Sequence, residues 1–151
     1  MRLTLIAVGR ARRGPEQELF NSYMKRLRPG LELIEVEEKR PLSGAELKAR
    51  EAELIADKIP EGAYLIALDE RGKAAPSRAF AEKLGELQDG GRDVAFIIGG
   101  ADGLDESLRA RADHLLGFGP QTWPHMLVRV MLAEQVYRAQ SILAGHPYHR
   151  D

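Results

Sequence analysis

The sequence predicts an α/β fold, a mostly parallel sheet flanked by helices. Three observations carry that expectation. Segments of strand character alternate with segments of helical period along the whole chain, the order in which crossover helices join parallel strands. Two of the strand segments, residues 63–68 and 94–98, are unbroken apolar runs, as in strands covered on both faces. The 151 residues hold no repeat, low-complexity stretch or linker, so a single domain over 1–151 with one sizeable core is expected.

The elements follow in order. Residues 3–8 form the first strand; this apolar run is too short for a secretory signal and lacks a small-residue cleavage site. Pro15 opens a helix with Leu19, Tyr23, Met24 and Leu27 on one face, and Pro29-Gly30 stops it. Residues 31–36 alternate apolar and charged side chains, as a half-buried strand does. Ser43 and Glu46 have the spacing of a capping box ahead of a helix to about Ile59. Leu47, Leu54, Ile55 and Ile59 fall towards one side of that helix, and Glu51 interrupts them. Pro60-Glu61-Gly62 leads into the 63–68 strand, and residues 69–73 read as a polar turn. A helix over 77–87 carries Phe80, Leu84 and Leu87. After Gly90-Gly91 come the 94–98 strand, a glycine-rich turn at 99–103, a short helix over 104–112 and a brief strand at 114–116. A loop over 117–124 and a last helix over about 126–144 complete the pattern. Val128, Met131, Leu132, Gln135, Val136, Ala139, Ile142 and Leu143 share one broad face of the last helix, while Val130, Ala133 and Tyr137 lie on the other. A helix apolar nearly all round is covered on both sides, and in a small domain the second cover is expected from a partner chain.

Composition narrows the class. The chain is 44% hydrophobic and 30% charged, an ordinary soluble balance. No apolar run approaches the roughly 20 residues of a spanning helix, so no membrane is expected. The absence of cysteine rules out disulfides and thiolate chemistry and makes the cytoplasm the default compartment. A net charge of -1 does not by itself announce a nucleic-acid partner, yet the charge is uneven. Arg10, Arg12, Arg13, Lys25, Arg26 and Arg28 stand close in sequence against only Glu16 and Glu18. Such a patch either meets phosphate or is a solvated helix face.

Several segments could carry chemistry, and each admits a plainer reading. Gly99-Gly100-Ala101-Asp102-Gly103 follows a buried strand directly, where backbone can approach a ligand at the carboxyl end of a sheet. It is neither the dinucleotide fingerprint nor a Walker A sequence, and a tight strand–helix turn would explain it equally. Asp69 closes a strand and either binds a ribose hydroxyl or is a surface turn residue. Phe118-Gly119-Pro120-Gln121-Thr122-Trp123-Pro124-His125 is a loop of fixed shape that can offer backbone groups to an adenine edge; the alternative is a connection with Trp123 in the core. Glu134 and Arg138 are spaced to pair on a helix. His146-Pro147-Tyr148-His149-Arg150 combines stacking, hydrogen bonding and charge; its two histidines lack an obvious third ligand, so no metal is expected.

Together these segments are more specific than any one of them. Residues 98–104, then Thr122-Trp123-Pro124-His125-Met126-Leu127-Val128-Arg129, then Glu134-Gln135-Val136-Tyr137-Arg138-Ala139, then 146–150 closely resemble the RlmH family. These are ribosomal RNA large-subunit methyltransferases that modify N3 of a pseudouridine. Leu5-Ile6-Ala7-Val8-Gly9 and the length also fit, whereas residues 38–60 are generic. The resemblance implies a single SPOUT domain with a C-terminal trefoil knot, a feature that periodicity cannot show. It implies S-adenosylmethionine as methyl donor, held by Leu68, Gly100, Phe118, Gly119, Pro120, Gln121, Thr122 and Trp123. It also implies a homodimer, consistent with the two-sided last helix, and the assembled ribosome with its large-subunit RNA as substrate.

In such a reaction His149 is the candidate base, Arg138 or Arg150 would stabilise the developing anion, and Tyr148 would stack on the target base. Arg10, Arg12 and Arg13 would meet RNA, near the other protomer's tail. Two rival readings are a nucleotide-binding hydrolase or transferase using the glycine turn, and a small ribosome-binding factor without chemistry. The first lacks a nucleophile motif and a phosphate-binding lysine.

Overall fold

The computed structural model describes residues 1–151. Five strands form one sheet: β1 (Leu3–Val8), β2 (Leu31–Val36), β3 (Tyr64–Lys73), β4 (Val94–Ile98) and β5 (His114–Leu116). Their order is β2-β1-β4-β3-β5, and every neighbouring pair is parallel. Five helices connect and cover them: α1 (Pro15–Met24), α2 (Gly44–Lys58), α3 (Ser77–Asp89), α4 (Glu106–Arg111) and α5 (His125–Leu143). None is long and apolar enough to cross a membrane.

The alternation of side chains along each strand divides the core in two. Leu3, Leu5 and Ala7 of β1, Ile66 and Leu68 of β3, and Val94, Phe96 and Ile98 of β4 point to the face covered by α1, α3 and α5. Ile6 and Val8, Leu65 and Ala67, and Ala95 and Ile97 point to the face covered by α2 and α4. Burial on both faces explains why these strands read as continuous apolar runs.

The structure corrects several local expectations. The apolar stripe of α1 runs through Phe20, Tyr23, Met24 and Leu27; Leu19 is 47% exposed, because Phe20 holds the position that faces the sheet. Ser43 does precede α2, but its side chain makes no cap bond. Gly44 has φ +58° there, which is not the helical turn a capping box closes around. Glu51 is turned inward with Ala52 and Ile55 rather than breaking an inner stripe. Residues 69–73 are not a turn: β3 continues to Lys73, which pairs with Leu116 beyond an irregularity in register. Leu104 is buried but lies ahead of α4, whose first turn is capped by Asp105 accepting from the Ser107 N–H at 3.1 Å.

Most of both apolar sides of α5 finds cover within the chain, but Leu143 is 46% exposed and Met131 joins neither core. The helix packs against α1 and α3, and Val130, Ala133 and Tyr137 join the same core as Leu132, Val136 and Ala139.

The extension of β3 also brings two backbones together. A Cβ on Gly117 would stand 2.5 Å from the Gly72 carbonyl oxygen, and one on Gly72 would stand 2.8 Å from the Gly117 nitrogen. Only glycine at both positions lets the segment leaving β5 cross the end of β3.

Candidate active site

A cavity of about 260 Å³ opens at the carboxyl ends of β3, β4 and β5. That is the end of an open parallel sheet where ligands bind. Its volume lies just under the roughly 300–1,000 Å³ usual for small-molecule pockets. Three segments build it: residues 68–71 of β3, the 98–104 turn after β4, and the loop after β5 that runs into α5 at His125 and Val128.

The glycine turn is the floor. Gly99 has no room for a Cβ, which would stand 2.7 Å from the Gly103 carbonyl carbon. Gly100 would meet Glu51 Oε2 and Val8 at 3.1 Å. The turn is thus tight for steric reasons, and it also lines the cavity. The two readings of this segment hold together.

The loop over 117–124 is held by its own bonds. The Trp123 indole N–H donates to the Phe118 carbonyl at 3.1 Å, closing the loop on itself. The Thr122 hydroxyl donates to Glu70 Oε2 at 3.0 Å, tying the loop to β3. Trp123 is not in the core: it is 38% exposed and forms part of the cavity wall. Of the residues expected to hold a donor, Leu68, Gly100, Phe118, Gly119, Gln121, Thr122 and Trp123 line the cavity. Pro120 is exposed in the same loop and does not.

Asp69 is neither a surface residue nor free. Its side chain is 6% exposed and accepts from Arg109 Nε at 2.7 Å and from the Arg71 N–H at 2.8 Å. Burial pushes the carboxyl up, but the bonds from Arg71 and Arg109 outweigh it and hold the group below its ordinary value. With Asp69 paired to Arg71 and Arg109, the acidic character of the cavity lining comes from Glu70 and Asp102, and it suits a cationic ligand. The sequence placed Asp102 and His125 within candidate segments without giving them a role and read Glu70 and Arg71 as a plain turn; all four line the cavity. The rule that strand ends carry the site would have found Glu70 and Arg71.

On the other side of the first turn of α5 lies a second cavity, about 220 Å³, with Arg10, Arg12, Arg13 and Arg129 in its wall. Arg129, whose side chain is 3% exposed, donates to Glu35 Oε2 at 2.6 Å and to the Gly9 carbonyl at 2.9 Å. The same Glu35 oxygen accepts from the Ala11 N–H at 2.7 Å. Burial raises Glu35, and the bonds from Arg129 and Ala11 bring it below its ordinary value. The basic loop is therefore pinned to β2 and α5 rather than free in solvent. Nothing in the sequence singled out Arg129, since a charged residue in a helix reads as exposed.

The tail folds back on α5 and is ordered by charge. Glu134 holds Arg138 at 2.8 Å and accepts from the Tyr148 hydroxyl at 3.1 Å. Arg138 Nη1 lies 3.1 Å from His149 Nδ1, and His149 Nε2 lies 2.9 Å from Asp151, which also binds Arg78 at 2.8 Å. Arg78 first, then His149, hold Asp151 down at about 2. Burial, with the Tyr23 hydroxyl and Glu134 beside it, raises the Tyr148 phenol. His146 Nδ1 accepts from the Tyr148 N–H at 3.2 Å, so both tail histidines are engaged by protein groups. Arg138, Tyr148 and His149 come together as the sequence suggested, but none of them lines the cavity. Glu134 stands nine residues along α5 from His125, roughly 14 Å at 1.5 Å per residue.

Comparison with known proteins bears on what this arrangement does. A family model described as "Predicted SPOUT methyltransferase" matches residues 1–149. The chain is 60% identical to Ribosomal RNA large subunit methyltransferase H of Paramagnetospirillum magneticum over 151 residues, 99% of each chain. It is 61% identical to the protein of the same name from Rhodospirillum centenum, again over 99% of each. Among solved structures it is similar in fold to TrmJ from Z. mobilis ZM4, with a TM-score of 0.57 at 14% identity, covering 93% of this chain and 71% of that one. A structure described as giving insights into the 2-OH methylation of C/U34 on tRNA matches with a TM-score of 0.51 at 20% identity, over 96% and 98%.

Proposed function

The chain belongs to the SPOUT methyltransferase family, within the ribosomal RNA large subunit methyltransferases H, and on that premise we propose that it methylates N3 of a pseudouridine in 23S ribosomal RNA. The donor is S-adenosylmethionine, the substrate is the assembled ribosome, and the compartment is the cytoplasm. One observation carries this reading: end-to-end identity of 60% and 61% with two relatives named for large-subunit RNA methylation. The family also sets aside the two rival readings, a hydrolase and a binding factor without chemistry.

The first cavity fits the donor. Its glycine floor leaves backbone groups open where a Cβ has no room, its loop supplies Phe118 and Trp123 as apolar walls, and its acidic lining suits a cation. Leu68, Gly100, Phe118, Gly119, Gln121, Thr122 and Trp123 would hold it, with Pro120 stiffening the loop from outside. When bound, the donor supplies an electrophilic sulfonium methyl: the N3 lone pair forms the new N–C bond, the C–S bond breaks with its pair on sulfur, and the N3 proton passes to a base. The chain itself contributes alignment, which is a large part of any such catalysis. The close crossing at Gly72 and Gly117 supports a threaded, knotted C-terminal segment around this cavity.

Arg138, fixed by Glu134, supplies positive charge to the N3 anion. Tyr148 stacks on the base, Arg150 meets RNA, and His149 accepts the proton once docking of the base draws Arg138 away from Nδ1. Since the tail lies off the cavity of its own chain, the site is completed in a homodimer by the partner's tail. Arg10, Arg12 and Arg13 hold RNA phosphates.

Calorimetry with S-adenosylmethionine tests the donor, and labelled methyl transfer to ribosomes followed by nucleoside analysis tests the rest. Failure to bind the donor removes the reading. Normal turnover by His149→Ala removes its role as base. Co-expressed chains, one carrying His149→Ala and the other a blocked cavity, are expected to regain activity in mixed dimers; no regain counts against the shared site.

A further inference from the structure

We propose that His125 is a further catalytic residue: its Nε2–H donates to a carbonyl oxygen beside N3 of the target base and stabilises the charge that develops there. The proposal rests on the RNA-methyltransferase reading, but it stands on separate observations. His125 opens α5 and is the one histidine lining the donor cavity. Its Nδ1 is closed off from solvent and has no hydrogen-bond partner, whereas Nε2 is not closed off. A buried N–H without an acceptor is the costlier of the two orphan states. The proton therefore sits on Nε2 and Nδ1 keeps its lone pair, which leaves Nε2–H as the free donor of a residue in the cavity wall.

Position decides what that donor meets. His125 and Val128 face the donor cavity, while Met126 and Arg129, on the adjoining face of the same turns, line the arginine cavity. The ring lies against the start of the basic loop: a Cβ on Gly9 would stand 3.4 Å from His125 Cε1. His125 thus marks the boundary between a cavity that suits phosphate and one that suits a cationic donor. A base carried on a backbone held by Arg10, Arg12 and Arg13 must cross that boundary to reach the methyl group. N3 of pseudouridine lies between two carbonyls, so loss of its proton spreads negative charge onto both oxygens. An imidazole N–H aimed at one of them acts where charge appears in the transition state, as preorganised donors do. His125 transfers no proton in this role; it donates a hydrogen bond, and the bonds made and broken are those of the methyl transfer alone.

The test uses the full chain and whole ribosomes. For His125→Leu the single-turnover rate is expected to fall about 10²–10³-fold, with S-adenosylmethionine affinity by calorimetry held within about threefold. Its thermal midpoint should not fall, because the variant removes an unpaired buried nitrogen. His125→Gln, whose amide N–H reaches the Nε2 position, should recover roughly tenfold or more of the rate, and His125→Asn, which reaches only the Nδ1 position, should not. A normal rate for His125→Leu overturns the proposal. So does a loss of donor affinity as large as the loss of rate, which would make His125 a donor ligand, or equal recovery by Gln and Asn, which would reduce it to packing. Wild-type protein that binds the donor yet leaves ribosomes unmethylated overturns the proposal and the RNA reading together.

Discussion

Two buried charges illustrate how single residues set the site. Arg129 satisfies Glu35 and the carbonyls of Val8 and Gly9 from the interior of α5. Removing it leaves the two carbonyls without this donor and Glu35 with only the Ala11 N–H, and breaking a buried pair in this way costs about 3–5 kcal/mol. Arg129→Ala is expected to lose stability of that order in urea unfolding, and Glu35→Ala, which leaves the arginine with its two carbonyls, less. Glu51 is the opposite case. Burial, with Asp102 nearby, raises its carboxyl, and no partner compensates. A carboxyl raised on folding favours the fold while it is protonated; that contribution is complete below the ordinary carboxylate range and is lost as pH rises through the raised value. Glu51→Gln should therefore raise the thermal midpoint at pH 8 and leave it nearly unchanged at pH 4.

At the scale of elements, the crossing of β3 and the segment after β5 is the strictest constraint. Gly117→Ala and Gly72→Ala each force a methyl group into backbone, and a loss of about 3 kcal/mol or failure to fold is expected from circular dichroism and denaturant titration. Gly119 has φ +93° but open space around it, so Gly119→Ala should cost only about 1 kcal/mol, from backbone strain. The strands and helices were legible in the sequence because two-sided burial writes itself as apolar runs and one-sided burial as a helical period. The extension of β3 through residues 69–73 was not, because its side chains are charged where they rim the cavity. The fixed shape of the 117–124 loop was legible from its prolines and glycines. That Thr122 ties it to Glu70 was not, since nothing local relates positions 52 residues apart. Arg129 escaped for the same reason: its partners come from β1 and β2.

For the whole molecule, the question is how a chain of net charge -1 meets RNA. The basic groups are gathered at one end of the sheet by Glu35 and Arg129, next to an acidic cavity, so attraction is local. Binding to ribosomes should weaken steeply with salt, and Arg12→Ala and Arg13→Ala should each flatten the log–log slope by about 0.7–0.9 for every phosphate left unneutralised. A flat response in the wild type would exclude the role. The indole of Trp123 offers a different kind of access. It is the single tryptophan of the chain, it is 38% exposed, and it stands in the wall of the cavity at the strand ends. The intrinsic fluorescence of the protein is therefore the emission of one reporter at one place. Filling the cavity should shift that emission to shorter wavelength, and unfolding should shift it to longer, so occupancy and denaturation can be read as opposite colours from the same unlabelled sample.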